Sequence, residues 1–192
     1  MAYQLSRDGR RNAWLLLVGA VCIWVFAIWT LQSTLGLSYD PGALSSSLSA
    51  LWSEGLTVNR TVPALFMLVL MVAAPLTIWN IAMELSSRFS VAENGLRYQS
   101  IGIDLTIPWE HISEIRPLDA DSDEPSDELL LSTAPTDQIA NPLTRFLYAQ
   151  AYGARVLPIY PGLTERDSLL ASIRSKTGLT VTAPAPVSEP TT

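Results

Sequence analysis

Two uninterrupted apolar runs dominate the first half of the chain. Residues 12–39 and 61–83 contain no Asp, Glu, Lys, Arg or His, and each run exceeds the roughly 20 residues that a helix needs to cross a hydrocarbon core. The pattern predicts two transmembrane helices, over 13–36 and 61–84. Between them, Asp40 and Pro41 read as an N-cap and a first helical residue, and Leu44, Leu48, Leu51 and Trp52 then recur at helical spacing. Serines 45, 46, 47 and 49 fill most of the other face, so a short amphipathic helix lying on the outer surface or against a partner is expected within a 37–60 loop. After Glu84 the period changes from helical to two. Ile101, Ile103, Leu105 and Ile107 alternate with Gly102, Asp104 and Thr106, as in a half-buried strand. Phe89 and Val91 belong to a strand that turns at Glu93-Asn94-Gly95 and returns from Leu96. Residues 129–131 and 156–160 complete the strands, and 141–153 reads as a helix. The last helix takes Thr164 as its cap, Glu165 and Asp167 in its first turn, Leu169, Leu170 and Ile173 inward, and Arg174 and Lys176 before Gly178. Residues 183–192, rich in Pro, Thr and Ala, read as a disordered tail.

Charge sets the expected topology. Arg7, Arg10 and Arg11 precede the first run, Arg60 is the lone cation between the runs, and Arg88 and Arg97 follow the second. The positive-inside bias then places both termini in the cytoplasm. Arg10-Arg11 before an apolar run also resembles the start of a signal peptide, but the run is longer than such a peptide needs and no A-x-A-like site closes it, which favours a retained anchor. Cys22 is the sole cysteine and lies inside the first run; no intrachain disulfide or thiolate cage can form, and it reads as a small packing residue. The absence of ionisable side chains from both runs disfavours an ion pathway or a histidine-ligated cofactor within them. Pro75 should bend the second helix, with neighbours or Thr77 satisfying the freed backbone groups. Trp14 fits an interfacial anchor, whereas Trp24 and Trp29 lie deeper and point to a protein-facing side.

Candidate chemistry in the second half is sparse. Asp119, Asp121 and Asp123 have the alternate spacing of a calcium loop, but Glu124 stands where glycine is needed and Leu130 where a bidentate glutamate should close the shell. Six acids within residues 119–128, with Pro125 among them, read as a solvated loop. His111 is the only histidine, with Glu110 and Glu114 nearby, and the chain has no Gly-rich phosphate loop, Gly-x-Ser-x-Gly elbow or Cys/His cluster. No catalytic, cofactor or metal site is expected. Residues 85–192 hold eight Lys and Arg against fourteen Asp and Glu, a balance of minus six, which opposes binding to anionic headgroups and to nucleic acid.

The order Phe89-x-Val91, Asn94-Gly95-Leu96, then Ile107-Pro108-Trp109-x-x-Ile112-x-x-Ile115, a late strand and one closing amphipathic helix resembles the bacterial pleckstrin-homology-like domain over residues 85–178. Many proteins of that family carry the domain after a pair of transmembrane helices. The resemblance implies a membrane protein with two transmembrane α-helices and a cytoplasmic α+β domain, a bent antiparallel sheet with one C-terminal helix, at a prokaryotic inner membrane. The acidic run 119–128 and the helix 141–153 are insertions relative to it. The expected organisation is a cytoplasmic segment 1–12, spans 13–36 and 61–84 around the outer loop 37–60, the domain 85–178 and a tail 179–192. The expected role is a non-catalytic scaffold or accessory subunit of a larger membrane complex, with the bilayer and other membrane subunits as partners. A lipid- or small-ligand-binding module is the alternative, and an enzyme using Trp109, Glu110 and His111 a third. Candidate partner contacts are Trp24, Trp29, Leu48 and Trp52, together with Leu143, Phe146 and Tyr148. In the inserted helix Leu143, Phe146, Leu147 and Ala151 form a stripe flanked by Arg145, Tyr148 and Tyr152, and aromatic and arginine side chains are enriched at interfaces.

Overall fold

The computed structural model describes residues 2–35, 40, 42, 58–118 and 126–179. In chain order the elements are β1 (Ala2–Gln4), α1 (Arg7–Leu35), α2 (Val58–Ser86), β2 (Arg88–Val91), β3 (Gly95–Ser100), β4 (Ile103–Pro108), β5 (Ile112–Pro117), β6 (Asp127–Leu131), α3 (Pro142–Tyr152), β7 (Val156–Ile159) and α4 (Arg166–Thr177). Short 3-10 turns occupy Trp109–His111 and Pro135–Gln138. The chain divides into a helical unit, residues 14–81, and a domain formed by 1–13 with 82–192. The amphipathic helix expected at Leu44, Leu48, Leu51 and Trp52, the aspartates at 119, 121 and 123, and the tail beyond 179 lie outside the described residues.

Both long helices are apolar and long enough to cross a membrane. α1 begins at Arg7, ahead of the expected position 13, so its three arginines belong to the helix. Within the helical unit α1 buries Ala20, Ala27 and Leu31, and α2 buries Ala74. Residues 20, 27 and 31 share one face at helical spacing, and small side chains there let backbones approach closely. Large side chains such as Leu16, Phe26, Trp29, Phe66 and Val69 point outward. Pro75 lies inside α2 and has no N–H, which leaves the carbonyl of Met71, four residues earlier, without its helical donor. The Trp24 indole fills the gap: Nε1 donates to the Met71 carbonyl at 3.2 Å. Thr77 instead donates to the Ala73 carbonyl, at 3.1 Å.

The domain contains two antiparallel sheets, β1-β2-β3-β4 and β5-β6-β7, where the sequence led us to expect one bent sheet. The break follows from Pro108, which has no N–H to continue a ladder, and from the 3-10 turn that starts at Trp109. In the first sheet Leu96 faces Ile107 and Tyr98 faces Leu105, while Arg97 faces Thr106 and Gln99 faces Asp104. The first set is buried and the second exposed or half-buried, the period-two division that the sequence predicts. Ile101 departs from it. It sits in the β3–β4 turn beside Gly102, whose φ is 66°, and is 44% exposed. Gly95 is required by proximity, since a Cβ there would lie 2.3 Å from the Ile107 carbonyl oxygen.

The first residues form a strand that the hydrophobic pattern did not mark. β1 pairs with β2, Ala2 opposite Ser90 and Gln4 opposite Arg88. On its other side the Thr164 amide donates to the Gln4 carbonyl at 2.7 Å and the Ser6 amide to the Gly162 carbonyl at 2.8 Å. Tyr3 and Leu5 are buried between them. Thr164 is therefore engaged with β1 and does not cap α4. Glu165 precedes that helix in a left-handed conformation, φ 53°, with no side-chain cap. The inward face of α4 is as expected: Leu169, Leu170 and Ile173 join Phe89, Leu96, Leu105, Ile115, Leu129, Leu157 and Ile159 in the core.

Candidate functional site

α3 is the domain element whose surface departs most from its surroundings. Asn141 caps it, its Oδ1 accepting from the amides of Leu143 at 2.9 Å and Thr144 at 3.3 Å, and Pro142 occupies the first turn, where a missing N–H costs nothing. Gly153, φ 94°, ends it. The side turned inward holds Thr144 and Tyr148, whereas Leu143 is 63% and Phe146 61% exposed. Tyr148, expected at a partner surface, is fully buried. Its hydroxyl donates to the Val156 carbonyl at 2.7 Å, and its ring lies 5.2 Å from that of Tyr152. An amphipathic phenol can do this because its one polar atom finds a backbone acceptor inside. The Arg145 guanidinium donates twice to the Ile139 carbonyl, at 3.2 and 2.8 Å.

Behind α3 runs a chain of tyrosine hydroxyls. Tyr152 meets Tyr160 at 3.0 Å and Tyr160 meets Tyr98 at 3.3 Å, with Phe89 packed 5.0 Å from the Tyr98 ring. Burial pushes the hydroxyls of Tyr98, Tyr148, Tyr152 and Tyr160 above the ordinary tyrosine range, and the Glu84 carboxylate adds to the push on Tyr98 and Tyr152. Neutral phenols in this arrangement satisfy one another. Toward the end of α2, Ser100 Oγ donates to the Met83 carbonyl at 2.7 Å, and the Ser86 and Ser100 hydroxyls meet at 2.8 Å. The turn after Ser100 touches α3, because a Cβ on Gly102 would lie 3.8 Å from Thr144 Oγ1.

Several other polar groups of the domain are paired locally, while Ser87 Oγ and Arg166 Nε are buried without a hydrogen-bond partner. Trp109 Nε1 donates to the Glu93 carbonyl at 3.1 Å. His111 Nδ1 lies 3.1 Å from Thr133 Oγ1, and its Nε2 is 4.0 Å from the exposed Glu110 carboxylate. Glu110 and His111 are thus near each other, whereas the Trp109 indole is bound elsewhere. Arg97 forks onto Asp104 at 2.8 and 2.6 Å and holds that carboxyl below its usual range. The buried Asp127 pairs with Arg166, while burial pushes its carboxyl up against the pull of Arg166 and Arg174. Among the described residues no group of three or more His, Cys, Asp or Glu could hold a metal ion.

Among the described residues expected at partner surfaces, the structure brings together Leu143 and Phe146, on one face of α3. Trp24 is half-buried against Met71, Trp29 is exposed 6.4 Å from the Phe26 ring, and Leu48 and Trp52 lie outside the described residues. Ile101 is an exposed apolar residue that sequence reasoning placed in the core; the following glycine was the available signal of a turn. No protein-family model, curated protein or solved structure matches the chain.

Proposed function

We propose that the chain is a two-span membrane protein of a prokaryotic inner membrane, with both termini cytoplasmic, whose domain serves as a non-catalytic scaffold or accessory subunit of a larger membrane complex. The observation that carries this reading is the pairing of β1 with β2. The segments before α1 and after α2 are neighbours in one sheet, so they share one side of any membrane that the two helices cross. The arginines flanking both helices on that side support the cytoplasmic placement. The domain is taken as pleckstrin-homology-like on its sequence order around Pro108-Trp109 alone. Apolar side chains left outward on the spans, such as Trp29, and on α3 are the surfaces offered to partners. Extraction in mild detergent followed by native electrophoresis tests the role. Migration in an assembly several times the mass of the chain is expected, and migration only as a monomer or small homo-oligomer removes the scaffold reading.

A further inference from the structure

We infer that the outward face of α3, with Leu143 and Phe146, together with Ile101 at the tip of the β3–β4 turn, dips into the headgroup–acyl boundary of the membrane that α2 crosses. This docking presupposes that α1 and α2 are membrane spans, and it names the bilayer as what covers that face.

Depth comes first. The charge-free run in α2 ends at Met83, and Glu84 is the first ionisable residue after it. Roughly 20 residues fill a hydrocarbon core, so a span starting near Thr61 brings residues 82–86 to the level of the headgroups. Ser100 bonds the Met83 carbonyl and meets Ser86, which holds Ile101, the next residue, at that same level. α3 follows at both of its ends. Gly102 lies against Thr144, the neighbour of Leu143; at the other end Tyr152 meets Tyr160, which meets Tyr98, two residues before Ser100. The opposite end of the sheet, with Glu93 and Glu110, is one six-residue strand away, about 20 Å.

Charge points the same way. No Asp or Glu occurs at positions 138–164, although residues 85–192 carry a surplus of six acids. The charged groups of that stretch are Arg145 and Arg155, both exposed. An apolar helix face bordered by arginine and free of carboxylates is the pattern of a helix lying in a membrane interface. A protein partner could cover an apolar face at any height on the domain; the coincidence with headgroup level selects the bilayer. Three side chains bind weakly alone, and here the spans supply the high local concentration that makes such contacts count. The acidic domain therefore needs no affinity for free vesicles.

The test uses the full chain with Cys22→Ala, reconstituted in lipid nanodiscs, carrying an environment-sensitive fluorophore on a single introduced cysteine. The sites are Phe146→Cys, Leu143→Cys as a second probe of the same face, Leu68→Cys as a span control and Glu110→Cys at the far end of the sheet. Quenchers are lipids spin-labelled near the headgroup, lipids labelled at mid-chain, and aqueous iodide. The expected result is blue-shifted emission at positions 146 and 143, with a several-fold larger loss to the shallow lipid label than at 110 and little loss to iodide. Position 68 should be quenched most by the mid-chain label. If position 68 is quenched by lipid while 146 and 143 respond to iodide, the face is in water and the docking is wrong. Shielding of 146 and 143 from lipid label and iodide alike would mean that protein covers the face, which also overturns it. Absence of lipid quenching at position 68 would remove the span reading itself.

Discussion

Among the described residues of the helical unit the buried positions are Ala20, Ala27, Leu31 and Ala74, and the side chains turned outward include Phe26, Trp29, Phe66 and Val69; in the domain Phe89, Leu105, Leu157 and Ile173 are enclosed and charged residues such as Arg97 and Asp104 stand outside. The difference is the one expected if the two long helices cross a membrane, as proposed above, and the domain stands in water. In water, apolar area gains by leaving the surface. In lipid it gains nothing by moving inward, so close approach of small residues and satisfaction of the backbone decide the packing. α4 follows the first rule with Leu169, Leu170 and Ile173. α3, in the same domain, follows the second: hydrogen-bonding Thr144 and Tyr148 face in, and Leu143 and Phe146 face out. A helix of this domain that sorts its residues as a membrane helix does is the feature most in need of a partner.

The largest expected effect tests the water-built side. Ile173→Ala removes fully buried carbon from the core face of α4 and should cost about 2–5 kcal/mol in denaturant unfolding of the full chain. An unchanged midpoint would mean that α4 does not share the core, and the contrast with α3 would lose one of its sides.

Next comes the inward face of α3. Tyr148→Phe keeps the ring and deletes the donor to the Val156 carbonyl, which should cost about 1–3 kcal/mol for an acceptor left unsatisfied. The same group of phenols gives a pH signature. Tyr98, Tyr148, Tyr152 and Tyr160 are all raised by burial. Below the ordinary tyrosine value of about 10, folded and unfolded chains are both neutral there. Above it, the unfolded chain releases protons that the folded chain keeps, so stability falls as pH rises. Since four of six tyrosines belong to this cluster, most tyrosinate absorbance should appear together with loss of circular dichroism in an alkaline titration. Full tyrosinate absorbance from an intact fold would show that the cluster is open to water.

A smaller effect probes the lipid-built side. Trp24→Phe strands the Met71 carbonyl that Pro75 leaves without a helical donor and should cost about 0.5–2 kcal/mol. Pro75→Ala restores the backbone N–H, so in that background Trp24→Phe should cost nothing measurable. An equal cost in both backgrounds, measured by reversible unfolding in micelles, would disprove the assignment.

The sequence was legible where a period ran long enough. The apolar runs marked α1 and α2, the alternation at Ile103, Leu105 and Ile107 marked β4, and Leu169, Leu170 and Ile173 marked the core face of α4. Asn141-Pro142 announced α3 and its start, but the stripe on α3 said only which residues are apolar, not on which side the core lies. Tyr148 could face either way because it carries both a ring and a donor. β1 escaped because three residues make no period, and its partner strand comes only after both long helices. Trp24 was visible as a deep tryptophan, and its role was latent in the spacing of Met71 and Pro75. Ile101 was misplaced by extending an alternation one step past its glycine.

The smallest expected effect is on the outward face of α3. Phe146 is 61% exposed, so Phe146→Ala removes little carbon from the core and should change the denaturant midpoint by no more than about 0.5 kcal/mol. Phenylalanine in a core loses several times as much on the same truncation, about 3–5 kcal/mol, so the measurement separates the two cases cleanly. Near-neutrality would place the stabilising contribution of α3 in Thr144, Tyr148 and the cap at Asn141, leaving Leu143 and Phe146 free to serve a surface outside the domain. A loss near that of Ile173→Ala would instead put Phe146 among the core residues, and α3 would then follow the same rule as α4.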